Sequence, residues 1–207
     1  FRSPECVELL KEADIVVTNP PFSLFRDYVA LLMQYNKQFA IIGNQNSITY
    51  REIFPLIKSN KIWLGYNNGH YWFMVPDSYE EKKTDFKIDE SGQKWRRMGN
   101  ICWFTNLDIE KRHENMTLFR TYSPDIYPKY DNYDAIEVSK TADIPCDYDG
   151  YMGVPITFMQ YYNPEQFEIA GLDDHRVEWV GHGPRLNGKV KYRRVIIRRK
   201  QVNTNEN

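Results

Sequence analysis

The chain has 207 residues, 42% of them hydrophobic and 27% charged, which is material for one sizeable globular domain or a domain with an appendage. A net charge of -1 excludes a uniformly basic nucleic-acid binder, so any such surface must be a local patch. Cys6, Cys102 and Cys146 are far apart and form no CxxC pair, which argues against a disulfide scaffold or a zinc site and fits a reducing cytoplasm. No apolar run reaches membrane-spanning length.

In chain order, Ser3-Pro4 followed by residues 5–12 predicts a capped short helix. Residues 14–18 predict a short strand buried on both faces of a parallel sheet. Asn19-Pro20-Pro21-Phe22 is a turn, and apolar residues at 25, 28, 29, 32 and 33 predict a helix over 22–35. Residues 39–43 predict a second buried strand, and 49–59 a second helix with Pro55 as an irregularity. This β-α-β-α order predicts a parallel sheet with crossover helices.

After residue 60 the pattern turns to strands rich in aromatic residues, at 62–65, 71–75 and 101–104. The charged stretch 76–99 predicts a hairpin or irregular excursion around Glu90-Ser91-Gly92. Residues 106–163 read as loop, a length that is usually functional or partly ordered by a ligand. Residues 167–172 predict a strand, and 185–200 a closing β-hairpin around Asn187-Gly188. From Thr204 onward the chain is expected to be disordered.

The turn at Asn19 carries the most chemistry. The exocyclic amine of a purine is a poor nucleophile because its lone pair is delocalised into the ring. Two acceptors on its two N–H bonds localise that lone pair. Asn19 can supply one through its side-chain oxygen, and the Pro20 carbonyl can supply the other. Consecutive prolines fix φ and remove competing N–H groups, while each residue before a proline is held extended. Phe22 offers a ring for stacking. The turn follows a strand, and ligands of open α/β sheets bind at the carboxyl ends of strands. A plain strand-ending turn with Asn19 as helix cap is the alternative for a bare motif of this kind.

Further segments narrow the reading. They are Phe1-Arg2-Ser3, residues 13–23, Ile41 to Asn46, Ile48 to Ile57, Met152 to Phe158 and Tyr162 to Glu168. With the turn they resemble the EcoRI-type adenine-specific DNA methyltransferases over most of residues 1–200. The resemblance implies transfer of a methyl group from S-adenosylmethionine to N6 of a flipped-out adenine in a specific DNA sequence. Asn19, Pro20, Pro21 and Phe22 would hold the base, with Asn19 also beside the cofactor, and Asn46 and its neighbours would line the pocket, unless Asn44-Gln45-Asn46 is only a polar turn. RNA or protein-glutamine methylation, or a non-catalytic DNA-binding module, are the alternatives.

The fold implied is α/β: the C-terminal half of a doubly wound, Rossmann-like sheet at 1–106, with a β-rich and loop-rich recognition region at 107–207. The family's glycine-rich cofactor loop and its ribose-binding acid find no counterpart here. The chain alone is therefore expected to bind S-adenosylmethionine poorly and to be inactive. The edge of strand 14–18 is expected to need cover from a missing N-terminal segment or a second chain.

Double-stranded DNA is the expected partner, with no membrane. Residues 185–200 hold eight basic and no acidic side chains. Arg193, Arg194, Arg198, Arg199 and Lys200 are expected on phosphates, or else on a solvated edge hairpin. Lys111, Arg112, Arg120 and Lys129 are further phosphate candidates in the recognition region. Asp143, Asp147 and Asp149 lack calcium-loop spacing, and His70, His113, His175 and His182 are scattered, so no metal is expected.

Overall fold

A computed structural model describes residues 1–173 and 183–200. His175, His182 and the segment from Thr204 lie outside the described residues. The protein is mixed α/β and divides into two compact units. One comprises Phe1–Ser47 and Leu64–Leu107, the other Ile48–Trp63 and Asp108–Asn207. The segment 48–63 therefore belongs with the second unit, not with the first as a division at 106/107 supposes.

In the first unit, α1 (Pro4–Glu12) starts at Ser3, whose hydroxyl accepts from the Cys6 N–H at 3.2 Å, with Pro4 in the first turn. Strand β1 (Ile15–Thr18) leads into a 3-10 turn at Phe22–Leu24 and helix α2 (Phe25–Gln34). Phe25, Val29 and Leu32 form the buried stripe of α2. β2 (Gln38–Asn44) lies parallel to β1, with Thr18 opposite Ile41. Lys37 ties the connections together, its ammonium donating to the carbonyls of Lys11 (2.7 Å) and Ala13 (2.8 Å).

The sheet is completed by β3 (Trp63–Met74), β4 (Phe86–Ile88) and β5 (Lys94–Thr105), in the order β1-β2-β5-β3 with β4 on β5. β1 pairs parallel to β2, whereas β5 runs antiparallel to β2 and β4 antiparallel to β5, so the sheet is mixed. The two aromatic strands expected at 62–65 and 71–75 are one twelve-residue strand. Pairing along a long partner overrides the turn-prone residues between them.

The expected hairpin at 89–92 forms. The Asp89 carboxylate accepts from the Ser91 hydroxyl (2.6 Å), the Trp95 indole (2.8 Å) and the backbone of Ser91 and Gln93. Led by the Ser91 and Trp95 bonds, these hold its pKa down at about 2.

β1 departs from expectation. Instead of being buried on both faces, it leaves Val17 66% and Ile15 46% exposed. Its pairing is to β2 alone among the described strands.

The second unit is built on a four-stranded sheet in the order β6-β7-β11-β8: β6 (Ala135–Glu137), β7 (Tyr151–Val154), β8 (Phe167–Asp173) and β11 (Arg194–Arg199). The loop expected over 106–163 thus contributes two strands. α3 (Phe54–Lys58) packs on β8, and the Lys58 ammonium donates to the Ala170 carbonyl at 2.6 Å. Pro55 sits in the first turn of this short helix rather than interrupting a longer one.

The closing element also differs. Only β9 (Arg185–Leu186) and β10 (Lys189–Val190) form a hairpin, with Asn187 and Gly188 at φ 52° and 73°. β11 lies inside the sheet between β7 and β8, with Val195, Ile196 and Ile197 fully buried. A register irregularity between Ile196 and Ile197 accompanies that placement.

The downstream segments that carry the family resemblance serve this unit's framework. The Asn163 amide donates to the His113 carbonyl (3.1 Å) and to Asn115 (2.9 Å). The Gln166 side chain brackets both backbone groups of Met116. Gly153 lies against the Tyr130 ring, where any Cβ would collide with the phenol.

Candidate functional site

Because β1 and β2 are parallel, their carboxyl ends reach the same edge of the sheet. Asn19-Pro20-Pro21-Phe22 leaves β1 there, and Asn44-Gln45-Asn46 leaves β2 beside it. All of these residues belong to the first unit. The expected pocket residues Asn19 and Asn46 are thus brought to one edge by backbone topology alone.

The turn is rigid for identifiable reasons. Pro21 adopts φ -55° and ψ 128°, and its carbonyl accepts from the Leu24 N–H at 2.9 Å. Turn closure therefore uses the Pro21 carbonyl, not that of Pro20. Immediately downstream Phe25 is fully buried, packed on Phe104 with ring centroids 4.8 Å apart. Gly43 of β2 permits this contact, since a Cβ there would meet the Phe25 ring at 2.5 Å. The anchor sits three residues after Phe22 and fixes where the turn points.

What the turn presents is unengaged. Asn19 and Phe22 are exposed, whereas Pro20 is buried. Asn19 does not cap α2: among the described residues, nothing hydrogen-bonds its side chain, and the cap positions of the 3-10 turn and of α2 carry no side-chain bond. Across the edge, the Asn44 side chain accepts from the Asn46 N–H at 2.9 Å and shapes the second turn. Gln45, which the sequence offers only as a neighbour of Asn46, has a distinct state. It is buried, and its Nε2 has no hydrogen-bond partner. A buried amide left unpaired is destabilising, and such atoms concentrate where a ligand completes the bonding.

The arginines expected on phosphates are placed differently from one another. Arg194 is buried, with 11% of its side chain exposed against 4% for its partner Glu137, at 2.6 Å. Burial pushes the Glu137 carboxyl up, but bonds from Arg194, Tyr130 and Ser139 outweigh this and hold it below the ordinary range. Burial likewise lowers Arg194, and Glu137 more than restores it.

Arg193 donates to the Thr49 hydroxyl at 2.5 Å, Arg198 pairs with Glu168 at 2.8 Å, and Arg199 donates to the Cys146 carbonyl. Lys200 is exposed. In the second unit the Arg112 guanidinium sits over the Trp63 ring, 3.7 Å from its centre, and donates to the Asn60 side chain. Arg120 faces Asp143 at 3.4 Å, and Lys129 pairs with Asp134 at 3.0 Å.

Among the described residues no group of His, Cys, Asp and Glu is arranged to hold a metal ion. No helix among them is long and apolar enough to cross a membrane. The glycines with described surroundings stand at turns or against rings, and none belongs to a glycine-rich loop between a strand and a helix. These residues do not by themselves make a nucleoside-binding loop.

A family model described as adenine-specific methyltransferase EcoRI matches residues 1–200. The chain is similar to the Type II methyltransferase M.EcoRI of Escherichia coli, with 50% identity over 210 residues, covering 98% of this chain and 62% of that protein. It is also similar to the Type II methyltransferase M.MgeORF184P of Mycoplasma genitalium, 42% identical over 98% of this chain and 69% of that protein. Type II methyltransferase M.MpnI of Mycoplasma pneumoniae is 40% identical over 97% of this chain and 69% of its own length. The chain thus spans roughly two thirds of the length of these curated relatives. No solved structure matches it. The chain belongs to the family of adenine-specific methyltransferases of the EcoRI type.

Proposed function

We propose that this chain supplies the acceptor site of a DNA methyltransferase that modifies adenine at N6, with S-adenosylmethionine as methyl donor. The observation that carries the reading is the unengaged Asn19 side chain beside the exposed Phe22, on a stiff turn at the carboxyl edge of β1. The donor, when bound, supplies a methyl group already activated on sulfonium.

The chain's own residues prepare the acceptor. The adenine amine donates one N–H to Asn19 Oδ1 and the other to the Pro20 carbonyl. Both acceptors favour the tetrahedral amine over the planar one, so the lone pair turns toward the incoming methyl group. Phe22 stacks on the ring and keeps the amine in place. The gain comes from positioning on a framework that does not have to reorganise. A base can reach this edge only outside the duplex stack, so the reading requires base flipping.

The fold supports the same reading. β1, α2 and β2 form a parallel β-α-β unit of the kind found in doubly wound sheets, with the turn at a strand's carboxyl end. We assign β1 to the middle of such a sheet, which accounts for the exposure of Val17 and Ile15. The second unit is the recognition region in this reading. Arg194 is left out of its DNA surface because its guanidinium is buried against Glu137.

The test is methyl transfer from labelled S-adenosylmethionine to duplex DNA by an enzyme that joins this chain to a donor-binding segment, with the product nucleoside identified. Label recovered as N6-methyladenine, and lost with Asn19→Ala, supports the assignment. Label in RNA or in protein, or full turnover without Asn19, refutes it.

A further inference from the structure

The β9–β10 tip of the second unit is held more firmly than its size would allow by itself. Two-residue ladders are not stable alone in water. Here the Asp131 carboxylate accepts from the backbone N–H groups of Asn187 (3.1 Å) and Gly188 (2.7 Å). The Asn132 side chain accepts from Arg185 N–H (3.0 Å) and donates to the Gly183 carbonyl (2.8 Å). Asp131 N–H donates to the Arg185 carbonyl at 2.8 Å, and Lys191 N–H to Pro184 at 2.7 Å.

This pinned backbone packs little inward. Val190 is exposed and Tyr192 is 88% exposed, with Arg185, Lys189 and Lys191 exposed around them. Leu186 and Lys191 line a cavity of about 580 Å³ together with Phe119, 71% exposed, and Ile126. A rigid tip that displays a ring and aliphatic groups in water, beside a cavity of mixed charged and apolar lining, marks an interaction site.

Charge decides the partner. The nearby carboxylates are already engaged: Asp131 by backbone N–H groups, Asp143 by Arg120, and Glu137 by Arg194. Among the described residues, the side chains of Arg185, Lys189 and Lys191 have no such partner. A surface of free cations around exposed aromatic rings suits a polyanion that offers flat faces and can be unstacked.

We infer that the tip is a DNA wedge. Arg185, Lys189 and Lys191 neutralise phosphates, while Tyr192 and Phe119 lie against bases opened at a distorted step. The inference rests on the reading of DNA as substrate and adds to it the element that deforms the duplex. It also moves the phosphate contacts of the basic C-terminal stretch from β11 to the tip.

The experiment measures binding of the full chain to a duplex oligonucleotide across a salt series, with 2-aminopurine as the unstacking probe. Replacing Arg185, Lys189 and Lys191 together by Ala should reduce the slope of log K against log salt by about 3, close to one per phosphate contact. Tyr192→Ala should abolish the rise in 2-aminopurine fluorescence and weaken binding about tenfold, with Tyr192→Phe close to wild type. All these positions are exposed, so circular dichroism should be unchanged. Wild-type slope in the triple variant together with wild-type fluorescence in Tyr192→Ala overturns the wedge. If the unmodified protein shows no affinity for duplex DNA, the DNA reading itself fails.

Discussion

The Asn19–Phe22 turn and strand β11 both carry residues whose types suggest function, yet their polar atoms are in opposite states. At the turn, Asn19 projects from a rigid backbone with its amide unengaged, next to an exposed ring. Along β11, Arg194 and Arg198 hold carboxylates and Arg199 holds a carbonyl, around the fully buried centre Val195-Ile196-Ile197. A reactive side chain is informative when the fold leaves it free. One that the fold already satisfies is part of the framework.

The strongest test of this contrast is to break the framework side. Arg194→Ala leaves the Glu137 carboxylate buried without its ion partner, and removing one member of such a pair costs about 3–5 kcal/mol. Thermal unfolding should move down by many degrees, monitored by near-ultraviolet circular dichroism. Arg194→Met with Glu137→Met should recover most of the loss, since two apolar side chains of similar size leave no orphan charge. A full-stability Arg194→Ala variant would return Arg194 to the list of surface residues.

Breaking the free side should do the reverse. In an enzyme that joins this chain to a donor-binding segment, Asn19→Ala should lower methyl transfer by about 10²–10³-fold, the usual effect of losing one preorganised polar group at a reacting centre. The melting temperature should hold within a degree, because Asn19 supports nothing in the fold. A variant that melts early would make Asn19 a framework residue instead.

The Glu137 pair also sets a pH dependence. In the folded protein, against the opposing effect of burial, its carboxyl is held below the ordinary glutamate range, about 4.5, by Arg194, Tyr130 and Ser139. A depressed folded value means that the contribution is fully present above about pH 4.5 and is lost as pH falls through the folded pKa. Stability measured by urea titration should therefore decline below pH 4.5, and Glu137→Gln should flatten that decline while lowering stability at pH 7. An unaltered acid limb in the variant would place the sensitive carboxylate elsewhere.

What could be read from the chain was local. The apolar runs at 15–17 and 39–42, the prolines at 20 and 21 and the stripe Phe25-Val29-Leu32 define β1, the turn, α2 and β2 by short-range rules. The Asn187-Gly188 turn was legible for the same reason. The fate of the arginines was not, because Glu137 is 57 positions from Arg194 and no local pattern announces the pairing. Basic residues on both sides of Val195-Ile196-Ile197 resembled an edge hairpin, whereas the sheet accepts those three as a buried central strand. Gln45 could be grouped with Asn46 but not singled out, because its distinction is a buried amide without a partner, which depends on the packing around it.

Gln45 also separates framework from site at a finer scale. If its unpaired Nε2 serves no ligand, Gln45→Leu should stabilise the fold or leave it unchanged, by about 0–2 kcal/mol, since an orphan donor is removed. If the amide completes the acceptor site, the same variant keeps or gains stability and loses methyl transfer. Lost stability with retained turnover would mean that Gln45 only packs.

The smallest effect belongs to Arg198. Its pair with Glu168 is exposed on both sides, and its guanidinium also lies 5.2 Å from the Tyr151 ring centre. Exposed pairs of this kind contribute about 0–1 kcal/mol, less in salt. Arg198→Ala should thus shift stability by less than about 1 kcal/mol and leave the salt dependence of DNA affinity unchanged. The measurement matters because Arg198 is the β11 arginine best placed to meet solvent. A fall of about 1 in the salt slope would mean that it leaves Glu168 for a phosphate when DNA binds. In that case an observed partner would mark a side chain held in reserve, and the distinction between engaged and free groups would hold only for buried pairs such as Arg194 and Glu137.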